Sequence, residues 1–103
     1  MIERHWKGIA KVEESDNYIK HLLTETFPKI SEMDGFIDAK ILKKRVDKGV
    51  EFLVVTVWSS IESIRQFAGE QMDLAVVPTV VQKMMIEFDD KVSHFEIAWK
   101  MKN

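Results

Sequence analysis

The chain predicts an α+β fold with element order β-α-β-β-α-β, and three observations carry it. Residues 2–12, 36–46, 50–58 and 91–101 show the two-residue alternation or the unbroken apolar run of β-strands. Between the first and second of these, and again between the third and fourth, apolar residues recur at helical spacing. The middle pair is joined only by Asp47-Lys48-Gly49, a hairpin turn. Two right-handed crossovers with a hairpin between them give one four-stranded antiparallel sheet with its helices on one face.

Each element follows from its residues. In the first strand Ile2, Arg4, Trp6, Gly8, Ala10 and Val12 share one face, and Glu3, His5, Lys7, Ile9 and Lys11 the other. Glycine weakens a strand interior, so Gly8 marks a close approach by a ligand or by Trp6. Ser15 and Asp16 offer helix caps, and Ile19, Leu22, Leu23, Thr26, Phe27 and Ile30 form the apolar stripe behind them. Pro28 lacks an amide donor and predicts a kink or restart near Phe27. Asp34-Gly35 ends the helix. The stretch 51–58 is nearly continuous in apolar residues, the pattern of a central strand buried on both faces. Ser59-x-x-Glu62 reads as a capping box opening a helix with an inner stripe of Ile61, Ile64, Phe67 and Ala68, ended by Gly69. Residues 70–89 predict one or two short helices broken at Pro78, and 91–101 the last strand.

Composition bounds the function. At 103 residues the chain holds a single domain, 1–103. A net charge of −2 with interspersed signs supplies no basic field for nucleic acid and no cationic face for a membrane. The absence of cysteine excludes disulfides, thiolate metal sites and a cysteine nucleophile. No apolar run is long enough to span a bilayer, and the first residues lack the apolar region of a signal peptide, so the expected location is the cytoplasm. There is no phosphate-binding glycine loop, dinucleotide fingerprint or nucleophile elbow, and no cofactor is expected.

Aromatic surplus points to association. Placing the helices over Leu53, Val55, Val57, Phe95, Ile97 and Trp99 leaves Phe52, Val54 and Trp58, joined by Trp6, on a face that water would disfavour. Two such sheets packed face to face form a homodimer with an enclosed interior.

The stretches Arg4-His5-Trp6-Lys7-Gly8, residues 18–28, Asp34-Gly35-Phe36, Glu51-Phe52-Leu53, residues 58–64, Phe67-Ala68-Gly69, Ala75-Val76-Val77-Pro78, Phe88-Asp89 and His94-Phe95-Glu96-Ile97 together span nearly the whole chain. In these the chain resembles the antibiotic biosynthesis monooxygenase (ABM) family. The resemblance implies a ferredoxin-like protomer, a dimeric α+β barrel, and a pocket between sheet and helices for a small hydrophobic, aromatic or quinol-like molecule. It implies cofactor-independent oxygenation, with Trp58 as a pocket wall and His94 as the strand-borne histidine. The haem-degrading branch is less similar, because the first strand has no Asn and residues 59–90 contain no His.

The candidate chemistry rests on few side chains. His94 and Glu96 alternate onto one face of the last strand, so His94 is the candidate base and Glu96 its orienting partner. Arg4 would hold a phenolate or a substrate carboxylate. The alternative is that His94, Glu96 and Arg4 satisfy one another across the dimer interface. His21 and Glu25 stand four apart on a helix face; they are taken as pocket residues, since metal binding would need a third ligand such as His94. Trp6 and Trp58 serve as packing or pocket walls. A non-catalytic dimer that binds a small hydrophobic metabolite, or fills its own pocket, is the competing reading.

Overall fold

A computed structural model describes residues 1–102. Strand β1 (Ile2–Ala10) is followed by a 3-10 turn, helix α1 (Ser15–His21), a π-helical turn (Leu22–Thr26) and helix α2 (Phe27–Ile30). The chain returns through β2 (Phe36–Val46) and β3 (Gly49–Trp58), then α3 (Ile61–Ala68), α4 (Thr79–Met84), β4 (Met85–Phe88) and β5 (Ser93–Glu96).

All strand pairings are antiparallel. The order is β2-β3-β1, and β4 and β5 both lie along the free side of β1. β4 pairs with Gly8 to Ala10, and β5 with Ile2 to His5. The expected single last strand is thus two short ones. Residues 85–88, expected in a helix, form the first of them, and residues 97–101 lie outside any strand. β3 is central, as its apolar run predicts, and Phe52 and Trp58 are fully buried.

Alternation correctly groups the side chains, but the two faces exchange roles. Tyr18 packs edge-on against Phe52, with ring centroids 4.9 Å apart, and Phe67 stacks on Trp58 at 5.5 Å. The helices therefore cover Arg4, Trp6, Phe52, Val54, Thr56 and Trp58. Leu53, Val55, Val57 and Phe95 lie on the opposite face, where Phe95 is 56% exposed. Trp99, expected under the helices, is 75% exposed. The physical reason lies in charge. Glu3, Lys7, Lys40, Lys44 and Glu51 share the Leu53 face, and carboxylates and ammonium groups stay in water rather than beneath a helix layer.

Local chemistry explains the remaining boundaries. Pro28 cannot donate to a preceding carbonyl, and the backbone accommodates this through the π turn just before it, where Phe27 N–H bonds Leu22 O. The α-helix thus restarts at Phe27, where the kink or restart was expected. The α3 cap is shifted one residue from the expected box: Ser60 Oγ accepts from Ser63 N–H at 3.2 Å, while Glu62 pairs with Arg65. Ile64 on the inner stripe is fully buried, but Ile61 is largely exposed. Gly35 adopts φ 86° in the turn before β2, where its carbonyl accepts from Ser59 N–H at 2.7 Å. Gly8 confirms its expected role, because a Cβ there would lie 2.6 Å from the Trp6 ring. No helix among the described residues is long and apolar enough to cross a membrane.

Candidate functional site

A cavity of about 90 Å³ lies between the sheet and the helical layer. Its floor is Arg4 and Trp6 from β1 with Val54 and Thr56 from β3. These four form two adjacent cross-strand pairs, Arg4 with Thr56 and Trp6 with Val54. Tyr18, His21, Leu22 and Thr26 supply the helical wall. The coil wall is Val76-Val77-Pro78, completed by Phe67 and Val81. The interior is mainly apolar, with its polar groups concentrated on Arg4, Tyr18, His21, Thr26 and Thr56.

Arg4 is the electrostatic centre. It is only 5% exposed and donates from one terminal nitrogen to Met72 O (2.7 Å) and to His94 Nε2 (2.9 Å), and from the other to Leu74 O (3.1 Å). Its guanidinium also sits 5.5 Å from the centroid of the Phe67 ring. Burial depresses its pKa to about 10, opposed in part by the Asp73 carboxylate. The two carbonyl bonds fasten the loop after α3 to the sheet.

His94 is placed beside this centre rather than in the cavity wall. A guanidinium can only donate, so Nε2 of His94 is the acceptor and its proton is on Nδ1. Nδ1 faces Asp73 Oδ1 at 3.8 Å. Burial, reinforced by the neighbouring Arg4 charge, lowers the His94 pKa below its ordinary value, against a smaller opposite pull from Asp73. The lone pair needed for general-base work at this ring is thus already engaged.

Of the residues singled out from sequence, the structure brings Arg4, Trp6 and His21 together around the cavity. Trp58, Glu25, Glu96 and His94 lie outside its lining. Trp58 is fully buried in a second cluster with Ile30 and Ile64, its indole donating to Thr56 Oγ1 at 2.9 Å. Glu25 and Glu96 are exposed. Glu96 shares its face with His94, as alternation predicts, yet His94 takes Arg4 and Asp73 as partners instead. His5 pairs with Glu3 at 2.8 Å on the open face. Among the described residues no three potential metal ligands cluster, so His21, Glu25 and His94 do not converge. The polar cavity residues not proposed for the site from sequence are Tyr18, Thr26 and Thr56. Tyr18 stands three residues before His21 on one helix face, and that spacing was the available signal.

Comparison with known proteins places the architecture. The sequence matches no family model and no curated protein. Solved structures do match along their full length. A Bacillus cereus protein bearing the antibiotic biosynthesis monooxygenase name is similar with TM-score 0.69 and 19% identity, covering 99% of this chain and 95% of that one. A variant of SnoaB, a cofactor-independent oxygenase from Streptomyces nogalater, is similar with TM-score 0.69 and 11% identity, covering 99% and 97%. The haem degrader MhuD from Mycobacterium tuberculosis is similar with TM-score 0.65 and 16% identity, covering 99% and 100%. Across its whole length, this chain has the fold of the antibiotic biosynthesis monooxygenases.

Proposed function

We propose that this chain is a cytoplasmic homodimer that admits a small aromatic or quinol-like molecule into its cavity and oxidises it with dioxygen, without a bound cofactor. The observation that carries the reading is the cavity itself: apolar walls, a buried cation on the floor and an imidazole, His21, on the helical wall. SnoaB, with the same fold, is by its name a cofactor-independent oxygenase. The dimer is supported by the open sheet face, where Leu42 and Phe95 are 44% and 56% exposed beside half-buried Leu53 and Val57.

The chemistry assigned to these residues is proton removal followed by electron transfer. His21, which makes no side-chain hydrogen bond among the described residues, takes the proton of a phenol as general base. The phenolate passes one electron to dioxygen, and the phenoxyl and superoxide radicals join at a ring carbon. Loss of water from the resulting peroxide leaves a quinone, so one oxygen atom enters the ring and the other leaves as water. Apolar walls exclude water and strengthen the field of Arg4 on the anion. His94 is assigned to positioning, since it holds Arg4 rather than facing the cavity. Haem is disfavoured: the first strand has no Asn, and residues 59–90 contain no histidine to ligate its iron.

A non-catalytic binder is the second reading, favoured by the cavity's size. About 90 Å³ is less than the ~150 Å³ that accommodates a benzene ring in an engineered protein cavity. Oxygen uptake over a panel of hydroquinones and phenols decides between them. Turnover is expected with at least one, falling about 100-fold in His21→Ala. Full activity in that variant removes His21 as base, and absence of uptake across the panel leaves the binder.

A further inference from the structure

Arg4 has no anionic partner of its own. A guanidinium 95% buried is ordinarily matched by a carboxylate, because an unpaired charge away from water is costly. Here no carboxylate among the described residues reaches salt-bridge distance of Arg4; the nearest influence, Asp73, is 83% exposed and turned to His94. Two backbone carbonyls and one imidazole take three of its five N–H groups. The remaining N–H groups belong to a side chain that borders the cavity.

A second observation concerns Tyr18. It is 97% buried and lines the same cavity, yet its hydroxyl has no hydrogen-bond partner in the protein among the described residues. The hydroxyl is not sealed by surrounding atoms and reaches open space. Thr56, 93% buried and paired across the strands with Arg4, accepts from the Trp58 indole and keeps its own proton to donate. Three buried donors thus border a mainly apolar space that contains no acceptor carrying negative charge. Along β1, Arg4 and Trp6 are about 7 Å apart, and Tyr18 packs beside Trp6 with ring centroids 6.1 Å apart. Arg4, Tyr18 and Thr56 all line this one space of about 90 Å³.

We infer that the cavity is a binding site for the carboxylate of a small apolar acid, with Arg4 as its counter-ion and the Tyr18 and Thr56 hydroxyls as further donors. This rests on the cavity assigned under the proposed function but not on oxygen chemistry. In an aromatic substrate, the acid group would anchor one end and leave the ring against Trp6 and Val54. At about 90 Å³ the cavity would have to widen to admit a ring.

Thermal unfolding with paired probes tests it, each acid against its neutral amide: benzoate with benzamide, 4-hydroxybenzoate with its amide, and butyrate with butyramide. At least one acid is expected to raise the midpoint and to bind about tenfold or more tightly than its amide, the range of a charge-assisted bond. Arg4→Gln should abolish this preference, and Tyr18→Phe, which removes one oxygen and no packing, should weaken the acid several-fold. Equal stabilisation by acids and amides overturns the inference, as does no stabilisation by any acid. Since the comparison is made on the unaltered protein, a failure of Arg4→Gln to fold does not disarm it. Oxygen uptake, measured separately, distinguishes failure of this inference from failure of the oxygenase.

Discussion

Gly8→Ala tests how tightly the cavity floor is built. A Cβ at position 8 would lie 2.6 Å from Trp6 Cη2 and 3.2 Å from Met85 Sδ, the first contact far inside van der Waals distance. The indole cannot simply pivot, because its Nε1–H donates to Asp89 O at 2.9 Å and its ring packs near Tyr18 and Phe88. Replacing glycine in a strand interior would by itself add about 0.5–1 kcal/mol of stability through the unfolded chain. Against this, overpacking costs about 1–3 kcal/mol. Loss of the indole hydrogen bond costs about 0.5–1.5 kcal/mol more. The balance is a destabilisation of about 0.5–4 kcal/mol, a fall of roughly 2–20 °C in Tm for a domain of this size. Urea denaturation followed by tryptophan fluorescence reads it. Because the displaced ring borders the cavity, ligand affinity should change as well. A variant as stable as the parent, or more so, would show that Trp6 is not wedged against the strand.

Three further outcomes follow from other parts of the molecule. Gly35→Ala places a methyl group against Ser63 Cβ at 2.6 Å and Ser59 Oγ at 2.7 Å on a backbone with φ 86°; a loss above about 3 kcal/mol is expected, and a urea midpoint within experimental error of the parent's contradicts the turn geometry. His94 binds protons less readily folded than unfolded, so its contribution is fully present above pH 6.5 and is lost as pH falls below that value towards the folded pKa. Between pH 7.5 and 5.5 the parent should lose more stability than His94→Gln, whose amide oxygen still accepts from Arg4; parallel profiles argue against the assignment. Leu53→Glu puts a charge in the middle of the open face, and light scattering should report a dimer for the parent and a monomer for the variant; equal masses for the two contradict the proposed contact.

Strand parity was legible because alternation is local, and the face groupings of Ile2 to Ala10 and of Ser93 to Glu96 follow it. Which face the helices cover is a tertiary fact, and the large side chains misled: Trp6, Phe52 and Trp58 read as a surplus for a partner but are the core itself. The corrective signal was present in Lys7, Lys40, Lys44 and Glu51, which cannot share a helix-covered face. Met85-Ile86-Glu87-Phe88 was missed as a strand because Met84 and Met85 continue a helical spacing from Val81, so short apolar runs are ambiguous by period alone. At the site, Arg4, Trp6 and His21 were legible from their faces, whereas the Arg4–His94 bond joins residues 90 apart and no local pattern encodes it. Tyr18 was hidden by its ordinariness, since an aromatic on an inward helical stripe reads as packing until its oxygen is seen to lack a mate.

The divided lane beside β1 has a consequence for solubility. An outer strand normally offers a continuous row of free amides and carbonyls that a neighbouring chain can copy. Here that rim is cut into two four-residue pieces, and the gap is plugged: Ala75 N–H bonds Asp90 O and Val92 N–H bonds Asp73 O, each at 2.8 Å. A crossover loop thereby occupies the place where a growing fibril would take hold, and the opposite rim, β2, carries Lys40, Lys43, Lys44 and Arg45 along its length.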